Sequence, residues 1–103
     1  MTAFYTGDVV YTTCQITGKP NRPHFVMAVK ADRVGLCPLT HTPQGQYEIT
    51  EMGGSTYLAG WDRIKQRSNL FWAQPADLRL RPQQLSDACI TAAVAEIRRQ
   101  NGR

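Results

Sequence analysis

Arg22, Thr40 and His41 are the residues whose types and placement are suited to chemistry. An arginine presents a planar fork of donors that matches two phosphate oxygens, and it stays charged at any relevant pH. A threonine hydroxyl donates or accepts a hydrogen bond, and an imidazole serves as acid, base or donor near neutrality. Each of the three sits at the end of an apolar run. Arg22 precedes Pro23 and the stretch HFVMAV, while Thr40 and His41 follow VGLCPL. Pro23 fixes its own φ and biases Arg22 towards extended geometry, which gives that side chain a stiff base. If the two runs pair as strands, the three groups converge where rigid sheet gives way to loop, a combination suited to gripping a phosphodiester. Taken singly, each residue has a plainer reading: a solvated loop arginine, a turn-stabilising hydroxyl and an exposed loop imidazole.

A second basic set is Arg63, Lys65 and Arg67, which alternate after Trp61. In a strand they share one face, a track for a single-stranded backbone beside a stacking platform, or equally a solvated outer face. A helical turn over the same residues disperses the row. His24 lies inside an apolar strand and reads as a core or inter-subunit histidine. Two histidines without paired cysteines or acidic spacing give a metal site almost no support, and no cofactor motif is present. Asp8 reads as a hydrogen-bonding partner of the turn at Gly7.

The elements that must position these groups follow from punctuation and periodicity. Strands are expected over Val9–Thr13, His24–Lys30 and Val34–Leu39, with a connecting loop over Thr17–Pro23. A fourth strand is expected over Tyr47–Thr50 and a bent one over Tyr57–Arg67. Residues 69–80 resist assignment, apart from a short strand at Leu78–Leu80 or a lead into the final helix. That helix is expected to open at Pro82 and run through Leu85, Cys89, Ala93 and Ile97, with Arg98 and Arg99 in its last turn and Gly102 as its stop. The expected fold is a small, mainly β, antiparallel barrel with a C-terminal helix, one domain over residues 1–103.

Composition agrees. The 103 residues, 42% hydrophobic, suffice for one modest core that dimerisation would supplement, and the net charge of +4 leans towards acidic partners. No apolar segment is long enough for a membrane helix, and the N-terminus carries no secretory signal. Cys14, Cys37 and Cys89 lack metal or disulfide spacing and read as reduced thiols of a cytoplasmic protein, with Cys37 and Cys89 filling core positions.

Taken together, GDVV near the start, RP before an apolar strand, PLTHT after the third strand, the late DRIK stretch and the final helix resemble the MazF/PemK family of toxin–antitoxin endoribonucleases. The resemblance implies an SH3-like barrel of the MazF/PemK/CcdB type that dimerises and is neutralised by a cognate antitoxin. It also implies metal-independent cleavage of single-stranded RNA at short sequences, by 2′-OH attack leaving a 2′,3′-cyclic phosphate. Arg22 falls on the family's catalytic arginine and Thr40 on the threonine that binds the same phosphate. Lys65 falls near a basic position used for substrate, and the expected RNA contacts are Lys19, Asn21, Arg63, Lys65 and Arg67. The chain departs from the family in a short loop before Arg22, without the serine or histidine some members carry, and in Arg67, where others place an acid. The general acid and base are left open, with His41 as the candidate. The competing reading is a non-catalytic barrel that binds nucleic acid or a protein target such as gyrase.

Overall fold

The stretches HFVMAV and VGLCPLT carry large side chains at both parities, so strands built from them must be covered on both faces. The computed structural model, which describes residues 3–43 and 47–102, covers both faces over His24–Val26 and Val34–Leu39, while Met27 and Ala28 are half-buried and Val29 is exposed. Its strands are β1 (Val9–Thr12), β2 (Arg22–Val29), β3 (Val34–Thr40), β4 (Tyr57–Leu58), β5 (Trp61–Asp62), β6 (Arg67–Ser68), β7 (Phe71–Ala73) and β8 (Arg79–Leu80), followed by helix α1 (Asp87–Asn101). β1, β2 and β3 form an antiparallel meander in which Val9 faces Phe25 and Phe25 faces Cys37. β4 and β7 pair with opposite ends of the outer edge of β3, and β8 pairs with β1.

The pairing path runs β4-β3-β2-β1-β8 and does not close, so the described strands make a mostly antiparallel sheet with one C-terminal helix rather than a closed ring. Alternation sorts the core. Val9, Phe25, Cys37 and Leu39 face the helix and pack with Leu85, Ala93 and Ile97. Val10, Val26, Val34 and Leu36 face the other way and pack with Phe4 and Ala73. The radius of gyration, 12.6 Å, is close to the roughly 13 Å of a compact chain of this size.

The first three strands and Arg79–Leu80 lie close to where the sequence puts them, although Arg22 and Pro23 open β2 instead of ending a loop. Three expectations are corrected. Around Tyr47–Thr50 the chain makes only an isolated bridge, Glu48 to Tyr57, then enters a 3-10 turn over Thr50–Met52. Tyr57–Arg67 is two short strands, a turn and the first residue of a third strand, not one bent strand. The helix starts at Asp87 instead of Pro82, because Ser86 is the cap: its side chain accepts from the Cys89 N–H at 3.2 Å. Glu51 anchors that cap from a distant segment, accepting from the Ser86 N–H at 2.8 Å and from its hydroxyl at 2.5 Å. These two bonds hold the Glu51 carboxyl below the usual range. Leu85 therefore packs just ahead of the helix, still buried.

The helix reaches the sheet at two glycines. A Cβ on Gly7, whose φ is +101°, would lie 2.6 Å from the Ile90 side chain. A Cβ on Gly60 would meet Gln100 Oε1 at 2.6 Å, where the Gly60 N–H now donates to that oxygen at 2.9 Å. Both contacts dock helix against sheet with no room for a side chain. Asp8 accepts the Tyr5 N–H at 2.8 Å, the turn role its position suggests.

Candidate functional site

Register brings Arg22 and Thr40 together. The β2–β3 ladder pairs Val26 with Leu36, Phe25 with Cys37 and His24 with Pro38. The ladder ends there, and two residues beyond it Arg22 opens β2 and Thr40 closes β3, at the same end of the two strands. Arg22 pairs with Thr12 on β1, and Thr40 with Tyr57 on β4. Thr12 with Arg22 and Thr40 with Tyr57 are thus direct cross-strand pairs, with the residues of each pair about 5 Å apart at Cβ.

Arg22 and Thr40 line one cleft of about 220 Å³, together with Lys19, Cys14, Thr42 and Asn69. The cleft wall carries two cations and no carboxylate. Its volume is below the roughly 300–1,000 Å³ typical of sites for drug-sized molecules, which suits a small anionic group. Among the described residues, no hydrogen bond or ion pair engages the Arg22 guanidinium, so its fork is available to an anion. The Thr40 hydroxyl oxygen accepts the Thr42 N–H at 3.2 Å. Its own proton remains available to donate, so the turn role and the ligand role are compatible.

The backbone beneath Arg22 is held from within the sheet. His24 is fully buried and its Nδ1 lies 2.9 Å from the Arg22 carbonyl oxygen. A carbonyl only accepts, so Nδ1 carries the proton and Nε2 is the unprotonated nitrogen. Burial holds this imidazole below its ordinary pKa; the bond to the Arg22 carbonyl pulls it back up, and the nearby Arg22 charge adds to the lowering. Nε2 is buried without a partner, and the ring packs edge-on against Phe71 at 5.3 Å. The core reading of His24 therefore holds, with an added consequence: it pins the strand end that carries Arg22.

His41 is placed differently. It is exposed beyond β3, its Nδ1 lies 2.9 Å from the Ser55 carbonyl oxygen, and it is not among the cleft's lining residues. A carbonyl only accepts, so Nδ1 donates to Ser55 and Nε2 is the ring nitrogen left for another partner. Lys19 lines the cleft, whereas Asn21 lines a second one that shares none of the first cleft's lining residues.

The basic row over Arg63, Lys65 and Arg67 does not exist as a strand face. Asp62 Oδ1 accepts the N–H groups of Ile64 and Lys65 at 2.9 and 3.0 Å, and Gln66 takes φ +53°. These bonds close a hairpin in which Arg67 returns opposite Asp62. The aspartate side chain nucleates the turn and outweighs the strand-like alternation. The three cations cluster around an exposed tip, away from the cleft's lining residues.

Sequence reasoning does not reach Cys14 and Asn69 as cleft residues. Asn69 Nδ2 donates to the Ala59 carbonyl at 3.1 Å, while its Oδ1 is buried and unpartnered. Cys37 behaves as a core thiol: burial pushes it up to about 12. Trp72 is half-exposed, with the Lys30 and Arg33 cations over its ring. Among the described residues no group of three or more His, Cys, Asp and Glu side chains gathers to hold a metal ion, and no helix is long and apolar enough to cross a membrane.

Comparison of the chain with protein-family models, curated proteins and solved structures finds no match. The class that fold and cleft define is a small antiparallel sheet, backed by one helix, with a cleft lined by an arginine and a threonine at the end of its central ladder.

Proposed function

We propose that this chain is a MazF/PemK-like toxin, a metal-independent endoribonuclease that cuts single-stranded RNA at short sequences. The observation that carries the reading is the shared cleft of Arg22 and Thr40, two uncommitted donors on adjacent strand ends with no carboxylate beside them. In the proposed reaction the ribose 2′-oxygen attacks the adjacent phosphorus and the 5′-oxygen leaves, giving a 2′,3′-cyclic phosphate and a 5′-hydroxyl. Arg22 takes the charge that grows on the non-bridging oxygens, and the Thr40 hydroxyl donates to the same group. Donors preorganised at a developing charge are usually the largest catalytic contribution. His41 is the proposed proton carrier, acting through Nε2; its exposed position requires the substrate to bridge it to the cleft.

An SH3-like homodimer, a cognate antitoxin that covers the cleft, and a cytoplasmic setting complete the reading. The test is incubation of the purified protein with a long RNA in EDTA, followed by mapping of the ends. Cyclic-phosphate termini at a recurring short site are expected. Intact RNA, or cleavage unchanged in Arg22→Ala and Thr40→Ala, would overturn it.

A further inference from the structure

A second cleft of about 500 Å³ is lined by other residues of β1 and the β1–β2 connection, and the phosphate chemistry does not use it. Its lining includes Tyr11, Thr12, Gln15, Asn21, Asp77 and Arg79. The Arg79 guanidinium lies 5.0 Å over the Tyr11 ring, and its terminal nitrogen donates to Asn21 Oδ1 at 3.4 Å. Asn21 takes φ +53°, a left-handed conformation that asparagine adopts more readily than most non-glycine residues, and it lines this wall. The composition is a stacking pair surrounded by amides, hydroxyls and one carboxylate. Unpaired bases of single-stranded RNA are held by these means, stacked on an aromatic ring or a guanidinium plane and hydrogen-bonded along their edges. The volume lies within the range of small-molecule sites, where the first cleft falls short of it.

The two clefts meet at one rung of the ladder. Thr12 lines the second and Arg22 the first, and they are direct partners in the β1–β2 pairing. We infer that the second cleft is a nucleobase pocket that takes a base next to the phosphate held by Arg22 and Thr40, and so sets which RNA sequence is cut. This deepens the ribonuclease reading and rests on it. The base stacks on the open face of the Tyr11–Arg79 pair, and Asn21, Gln15 and Asp77 read its edge.

The test is amide-resolved NMR titration of the full-length protein with three probes: inorganic phosphate, the four free nucleosides, and the four nucleoside 5′-monophosphates. Nucleosides are expected to shift the amides of Thr12, Asn21 and Arg79. Inorganic phosphate is expected to shift those of Arg22 and Thr40, and monophosphates both sets. Tyr11→Leu should weaken nucleoside binding roughly tenfold and leave the phosphate shifts in place. Asn21→Gly keeps the left-handed backbone while removing the amide, and should narrow the differences among the four nucleosides. Nucleosides that leave the second cleft unmoved, while phosphate shifts Arg22, would overturn the base pocket and spare the ribonuclease reading. Phosphate that fails to shift Arg22 would sink the phosphate site instead. Saturable shifts there with an acidic peptide but not with nucleosides would assign the cleft to a protein and overturn the inference.

Discussion

Arg22 and the arginines of the β5–β6 hairpin share a side chain and little else. Arg22 is half-buried at the start of an eight-residue strand, paired on one side with Thr12 and carried towards Thr40 on the other. Its carbonyl is held by a buried histidine and its guanidinium faces a cleft. Arg63 and Arg67 flank a turn whose tip, Ile64, is 94% exposed, and the bonds that shape that tip come from the hairpin's own residues. The first arrangement roots a cation on a fixed strand end, which suits the proposed stabilisation of a transition state; the second supplies charge on an exposed turn, which suits electrostatic attraction.

The largest expected effect follows from that division. Arg22→Ala should lower the rate of RNA cleavage by on the order of 10²–10³, read in single-turnover kinetics, with the melting transition little changed. An equal drop in the hairpin variants would erase the distinction. Next comes Arg63→Gln/Lys65→Gln/Arg67→Gln, which should weaken RNA binding at low salt. The slope of log affinity against log salt should flatten by about 0.7 for each phosphate charge that the protein no longer neutralises, while the single-turnover rate at saturation is retained.

A smaller effect concerns the pin under Arg22. His24 has a folded-state pKa below its unfolded value near 6.5, so the unfolded chain binds its proton first. Stability should therefore be full above about pH 6.5 and fall as the pH drops towards the folded pKa. His24→Phe should abolish this acid-side decline in urea titrations at pH 7 and pH 5, and removing the bond to the Arg22 carbonyl should cost on the order of 1 kcal/mol at pH 7. A decline that survives the substitution would move the acid sensitivity elsewhere. The smallest effect is at the hairpin tip: Ile64→Ser should change stability in the same urea titrations by less than about 0.5 kcal/mol, since the side chain is almost wholly in solvent.

The two regions also differ in how far their sequences disclose them. The central meander is legible because VVYT, HFVMAV and VGLCPLT are apolar runs separated by clear turn residues, and the sharing of one cleft by Arg22 and Thr40 follows once those runs are antiparallel neighbours. The hairpin misleads because its alternating cations mimic a strand, while the deciding contact is the Asp62 side chain folding back on two N–H groups. Helix periodicity places Ala93 and Ile97 correctly but not the first turn. Ser86 is an ordinary cap residue whose selection depends on Glu51, thirty-five positions away. Cys14 and Asn69 reach the cleft from separate segments, and only tertiary packing brings them there. Gly60 reads as a bend, yet its requirement comes from Gln100 at the end of the helix.

The claim that Arg22 and Thr40 close around one phosphate is tested most directly by a double-mutant cycle on the single-turnover cleavage rate, using Arg22→Ala, Thr40→Val and the pair. Two groups on the same anion are expected to couple, so the double variant should slow the reaction by well short of the product of the two single effects. Effects that multiply independently would mean that the arginine and the threonine serve different atoms, and would contradict the account.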